Sequence, residues 1–106
     1  MADVSDILME RKKTHGDFKD HAACTQDLLY VCGANKNWNK LCPEYREAIH
    51  MICHKIGRIL TGSPYIQDHV DDIIGYATLM KNYADHKAAT DILVHTTYSN
   101  PLDDAE

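Results

Sequence analysis

Apolar residues recur at three- and four-residue steps along almost the whole chain, and no stretch alternates apolar with polar as a half-buried strand would. Val4, Ile7, Leu8 and Arg11 start the pattern, and Gly16 is placed to stop it. Phe18, His21, Ala22, Thr25, Leu28, Leu29 and Cys32 resume it, with Asp17 positioned to cap the helix start and Gly33 to end it. From Ala34 to Cys42 the period is lost among Asn35, Asn37 and Asn39, which reads as a loop with Trp38 tucked against the helices. Pro43 and Glu44 suit the first turn of a third helix, Ile49, Ile52, Cys53, Ile56, Ile59 and Leu60 form its apolar stripe, and Gly62-Ser63-Pro64 stops it. A fourth helix starts near Asp68, with Val70, Ile73, Ile74, Ala77, Met80 and Ala84 as its expected core face.

This pattern predicts an all-α fold: a compact antiparallel bundle of four main helices. At 106 residues the chain suffices for one domain, expected over residues 1–98, with 99–106 an acidic flexible tail. Ala88 to Tyr98 either continues the fourth helix or forms a short fifth.

Composition narrows the function classes. Hydrophobic residues are 44% and charged residues 25%, which excludes a disordered or fibrous chain. The formal net charge of −5 comes without any clustered basic face, so long nucleic acid is excluded as a partner. Arg11-Lys12-Lys13 complements the C-terminal dipole of the first helix. A single small anion remains open, because it needs only a few convergent cations. No run reaches the ~18 apolar residues of a membrane span, and the start of the chain carries no signal-peptide core. The expected location is the cytoplasm, with no membrane partner.

Cys24, Cys32, Cys42 and Cys53 are expected as reduced thiols, three of them on apolar helix faces. Seven histidines are many for this length. His50 and His54, one turn apart, have the spacing to chelate zinc, but no second compact ligand pair accompanies them.

Three features remain once the core is assigned. On the third helix Glu44, Glu47, Met51, Lys55 and Arg58 share a side opposite the isoleucines. This is either a solvated face or one wall of a groove for a phosphorylated ligand, and a groove requires another helix or another subunit to cover it. On the fourth helix Asp68, Asp72, Gly75, Tyr76, Leu79 and Tyr83 share a face, where Gly75 marks either close helix contact or space for a ligand. Glu44-x-x-Glu47 followed by Asp68-x-x-Asp71 and Asp72 has the chemistry to hold Mg²⁺ against a triphosphate, although such a pattern arises readily in a chain with 16 acids. The corner from Glu10 to Phe18 puts the hydroxyl of Thr14 and the imidazole of His15 beside a helix N-terminus, where backbone amides favour anions.

Two segments carry a resemblance. Residues 7–18, with Glu10-Arg11-Lys12-Lys13-Thr14-His15-Gly16-Asp17-Phe18, resemble the ERxxTHGDF opening of a widespread family of small phage and prophage proteins. Residues 46–62, together with Asp68-His69-Val70-Asp71-Asp72-Ile73-Ile74-Gly75-Tyr76-Ala77-Thr78-Leu79, resemble that family's second half, with Val70 where a tryptophan is expected. At greater distance the layout is similar to the MazG-like all-helical nucleotide pyrophosphohydrolases. That resemblance implies metal-binding roles for Glu47 and Asp72 and phosphate contacts for Lys55 and Arg58. It further implies a nucleotide-handling scaffold with an eroded metal site, a phage sponge for cyclic or NAD-derived immune signals in the infected host cytoplasm.

The expected function is therefore non-catalytic binding of a small phosphorylated nucleotide by a homo-oligomer, with no cofactor. Arg11, Thr14, His15, Phe18, Lys55, Arg58, Asp72 and Tyr76 are the expected ligand contacts. A second reading is a Mg²⁺-dependent triphosphate pyrophosphohydrolase holding metal with Glu44, Glu47, Asp68 and Asp72. A third is a protein–protein adaptor.

Overall fold

In the computed structural model the backbone is described for residues 3–98 and the side chains for residues 3–88. Four helices follow the periodicity: α1 (Val4–His15), α2 (Phe18–Gly33), α3 (Pro43–Thr61) and α4 (Gln67–Tyr98), with a short 3-10 turn at Trp38–Lys40 between α2 and α3. The described residues contain no strand. The all-α, four-helix expectation holds. Residues 88–98 continue α4 as one 32-residue helix, so no fifth element forms among the described residues. The acidic tail, 99–106, lies outside them.

Local chemistry sets the helix ends. Asp3 accepts the N–H of Asp6 at 3.0 Å and opens α1. Gly16 closes it at φ +77°, a backbone conformation that side chains rarely tolerate. Asp17 stands at the N-cap of α2 but makes no side-chain cap bond; its carboxylate instead meets Lys12 Nζ at 3.0 Å, back across the corner. Pro43 opens α3, and Gly62 N–H bonds Arg58 O at 2.9 Å to close it. In the α2–α3 connection Trp38 is half-buried, and Arg46 ties the turn down by donating from Nε to Trp38 O (3.0 Å) and from Nη2 to Asn39 O (2.9 Å).

The central element is α3. It packs against α2 on one flank and α4 on the other, while α2 and α4 make little or no contact. Cys53 on α3 faces Cys32 on α2 with sulfurs 3.9 Å apart, both thiols free. On the other flank Tyr45 packs edge-on against Tyr83 at 6.0 Å, and Lys55 pairs with Asp72 at 2.8 Å, which fixes an antiparallel α3–α4 register. The layer is drawn out rather than compact. It measures 64 × 30 × 24 Å with a radius of gyration of 19.4 Å, against about 13 Å for a compact domain of this length. Ala48 and Cys53 are the apolar residues it buries among those described.

The α4 core face matches the expected one in part. Ile73 and Met80 turn inward as expected, together with His69, Tyr76 and Tyr83, whereas Val70, Ile74 and Ala77 are exposed. The inward row mixes histidine, tyrosine and methionine with one isoleucine, so a search for aliphatic residues alone selects the neighbouring row. Of the acidic-basic stripe on α3, Lys55 pairs with Asp72 of α4, whereas Glu44 and Glu47 are exposed beside an open groove that Tyr76, Leu79 and Tyr83 also line. On one side this stripe is flanked by α4 of the same chain.

Candidate functional site

Two corners of the fold are held together through backbone. Gly16 lies against Thr61 and Gly62, where a Cβ on either Gly16 or Gly62 would collide with the facing main chain. Ser63 donates its N–H to Thr14 O (3.1 Å) and its hydroxyl to Lys13 O (2.8 Å). This contact brings the last turn of α1, the first turns of α2 and α4 and the last turn of α3 to one place. It holds Thr14, His15, His21, His54, Arg58 and His69 there.

The histidines meet in pairs. His21 Nε2 and His54 Nδ1 are 3.3 Å apart with rings perpendicular, and the His15 and His69 rings meet edge-on at 5.3 Å. Thr14 Oγ1 hydrogen-bonds His15 Nδ1 at 2.6 Å. His21 and His69 are only 4% and 2% exposed, and His21 Nδ1 and His69 Nε2 are buried without a hydrogen-bond partner among the described residues. Burial, followed by the nearby Arg58 charge, holds the pKa of His15, His21 and His54 below the ordinary histidine value, with His54 pushed down to about 4. His69 is lowered by burial and then by Lys55 and Arg58. The result is four neutral imidazoles around one guanidinium.

Arg58 is the unusual member. Its Nε is buried with no partner, and no ion pair or hydrogen bond to its side chain occurs among the described residues. Burial and Arg11 lower its pKa, yet a guanidinium stays charged at any physiological pH. A half-buried cation without a counter-charge gives up part of its hydration and keeps its strongest donors available to an anion. Arg58 opens onto a cavity of about 500 Å³ lined by Ile7, Leu8, Arg11, Lys12, His15, Gly16, Asp17, Phe18, His21 and Arg58. Arg11, Lys12 and Arg58 supply positive charge, and the one carboxylate, Asp17, is occupied by Lys12. Phe18 stands at the rim, 83% exposed.

Of the eight expected ligand contacts, Arg11, His15, Phe18 and Arg58 line this cavity, and Thr14 adjoins it through His15. Lys55 is directed to α4, where its hydrogen bond holds the Asp72 carboxyl below the usual carboxylate range. Asp72 and Tyr76 belong to a separate open groove with Asp71, Gly75 and Leu79. Lys12, His21, His54 and His69 join this site without being among the expected contacts. The available signal was His21, a polar residue at an apolar helical position.

The acids expected for Mg²⁺ do not converge. Glu44 and Glu47 sit at the start of α3, whereas Asp68 and Asp72 sit at the start of α4, level with the other end of α3. About 12 Å of helix axis separates Glu47 from Lys55, the level at which Asp72 lies. No group of three or more His, Cys, Asp or Glu among the described residues is disposed to hold a metal ion. His50 turns to Glu47 (3.3 Å) and His54 to His21, so they do not act as a chelating pair. No described helix is long and apolar enough to cross a membrane.

No protein-family model, curated protein or solved structure matches the chain.

Proposed function

We propose that this protein binds a small phosphorylated nucleotide in the cavity between α1, α2 and the end of α3, and holds it without turnover. The observation that carries this reading is Arg58: a half-buried guanidinium, its Nε buried and without a partner among the described residues, facing a cavity whose other charged lining is Arg11 and Lys12 with a single, already paired carboxylate. Phosphate is the chemistry that matches, because its oxygens accept the paired donors of a guanidinium and the first amides of α2. The volume lies within the range of small-ligand sites, and Phe18 offers an exposed ring for a base to stack on. Ile7 and Leu8 give the ligand an apolar wall. Glu44 and Glu47 lie at the opposite end of α3 from the level of Asp68 and Asp72, so among the described residues these acids form no common metal-holding set. The resemblance to phage proteins gives the biological setting of the proposal: sequestration of a cyclic or NAD-derived signal nucleotide that bacterial defence uses.

The test is thermal shift against nucleoside triphosphates, cyclic di- and trinucleotides and cyclic ADP-ribose variants, with and without EDTA, followed by chromatography of the recovered ligand. A ligand at a hundred times its dissociation constant adds about 2.7 kcal/mol and raises the midpoint by several degrees. An EDTA-insensitive shift with one nucleotide, recovered intact and lost in Arg58→Ala, is the expected result. Silence across the panel, or metal-dependent conversion of a triphosphate, overturns the reading.

A further inference from the structure

The flanks of α3 are fixed by contact: Cys53, His54 and Gly57 face α2, while Tyr45, Ala48 and Lys55 face α4. At about 100° per residue these flanks leave two open faces on the layer. One carries Glu47, Met51 and Arg58, and it is there that α1 and the cavity lie. The other carries Ile49 and Ile56, continued by Leu28 and Val31 on α2 and by Val70 and Ile74 on α4. Val31, Val70 and Ile74 are exposed, and Leu28, Ile49 and Ile56 are only half-buried. Nothing among the described residues covers this second face.

We propose that it is covered by the same face of a second copy of this chain, forming a two-fold homodimer whose joint core is the apolar layer between the two α2–α3–α4 sheets of helices. Three observations select this occupant. The chain exposes 8182 Å², where a compact monomer of 12.0 kDa exposes about 6,000 Å², an excess to which the run of α4 beyond its pairing with α3 also contributes. The excess is larger than the ~800 Å² per partner that a stable interface requires. Ala48 and Cys53, 5% and 7% exposed, are the buried apolar residues among those described, a small core for a chain of this length, so a cover available wherever the chain is made suits it best. A copy of the chain meets that condition. Finally, Ile49, Ile56, Val70 and Ile74 are aliphatic, and Lys81, which follows them along α4, is paired with Asp85, so the face is largely self-complementary under a two-fold axis. The cavity with Arg58 lies on the opposite face and stays open, so dimerisation and nucleotide binding are separable.

Light scattering on the full-length protein tests the assembly, and carbene footprinting of the same sample tests its location. The expected result is a mass of about 24 kDa, twice the 12.0 kDa of the chain. Val70, Ile74 and Ile56 should be protected from the carbene while Tyr65, 94% exposed, is labelled. Ile74→Glu should lower the mass to that of one chain, and Tyr65→Glu should leave it at two. A wild-type mass of one chain at micromolar concentration overturns the proposal. So does an Ile74→Glu protein that stays dimeric, or heavy labelling of Val70 and Ile74 in the wild type. If Ile74→Glu does not fold, the footprint of the wild type decides.

Discussion

Lys55 Nζ on α3 lies 2.8 Å from a carboxylate oxygen of Asp72 on α4, one turn of helix away from Arg58, which has no such partner. Both cations stand on the same helix near the same corner, yet one is matched and the other is not. The unmatched one faces the cavity. For the nucleotide selected by thermal shift, Arg58→Ala should therefore weaken binding about 10- to 100-fold, the range for loss of a charge-assisted hydrogen bond. Lys55→Ala should weaken it only a few-fold. Isothermal titration of both variants checks the order, and equal losses would contradict it.

A second prediction concerns stability against pH. His15, His21, His54 and His69 all have folded pKa values below the ordinary 6.5, with His54 at about 4. Between pH 6.5 and 4 the unfolded chain takes up protons that the folded chain refuses, so stability falls as pH falls through this window. Above pH 7 the imidazoles are neutral in both states and contribute no slope. Urea midpoints measured at pH 7.5, 6 and 5 should decrease in that order. His54→Gln should flatten the decrease, because the most strongly shifted group is removed.

Ligand binding should run the other way with pH. A phosphate placed beside Arg58 brings negative charge to imidazoles that burial and the Arg58 charge now keep neutral, which favours their protonated forms. Binding should then take up protons, and affinity should rise from pH 8 to pH 6. Titrations in two buffers of different ionisation enthalpy read the proton count directly. Proton release on binding would show that the ligand does not sit at this cluster.

Much of the fold is legible in the sequence because helix signals are local. Gly16, Pro43 and Gly62 mark ends that the structure keeps. Facing is less legible. The inward row of α4 is His69, Ile73, Tyr76, Met80 and Tyr83, and it does not look like a core face until α3 is seen to present Tyr45 and Lys55 to this side of α4. The cavity is only half legible for the same reason. Arg11, His15 and Phe18 come from one continuous corner, and Arg58 follows from its charge on an amphipathic helix. His21 and His69 join them through the contact between Gly16 and Gly62, which is tertiary and leaves no periodic trace.

Gly57 and Gly75 offer opposite outcomes from the same substitution. Both lie inside long helices, where alanine is intrinsically better by about 1 kcal/mol. At Gly75 an added methyl meets nothing within 4 Å, so Gly75→Ala should stabilise by up to about 1 kcal/mol. At Gly57 it would stand 2.6 Å from Thr25 Oγ1 and 3.1 Å from His21 Nδ1. Thr25 and His21 are each 4% exposed and have no room to withdraw, so α2 and α3 must separate. Overpacking of this kind costs about 1–3 kcal/mol and exceeds the gain in propensity. Gly57→Ala should thus lower the thermal midpoint, by about 4–8 °C for each kcal/mol of net loss, while Gly75→Ala raises it. It should also weaken nucleotide binding, because the displaced α2 carries His21 and Phe18 away from Arg58. A Gly57→Ala protein as stable as the parent would mean that α2 and α3 do not approach as closely as the 2.6 Å contact requires.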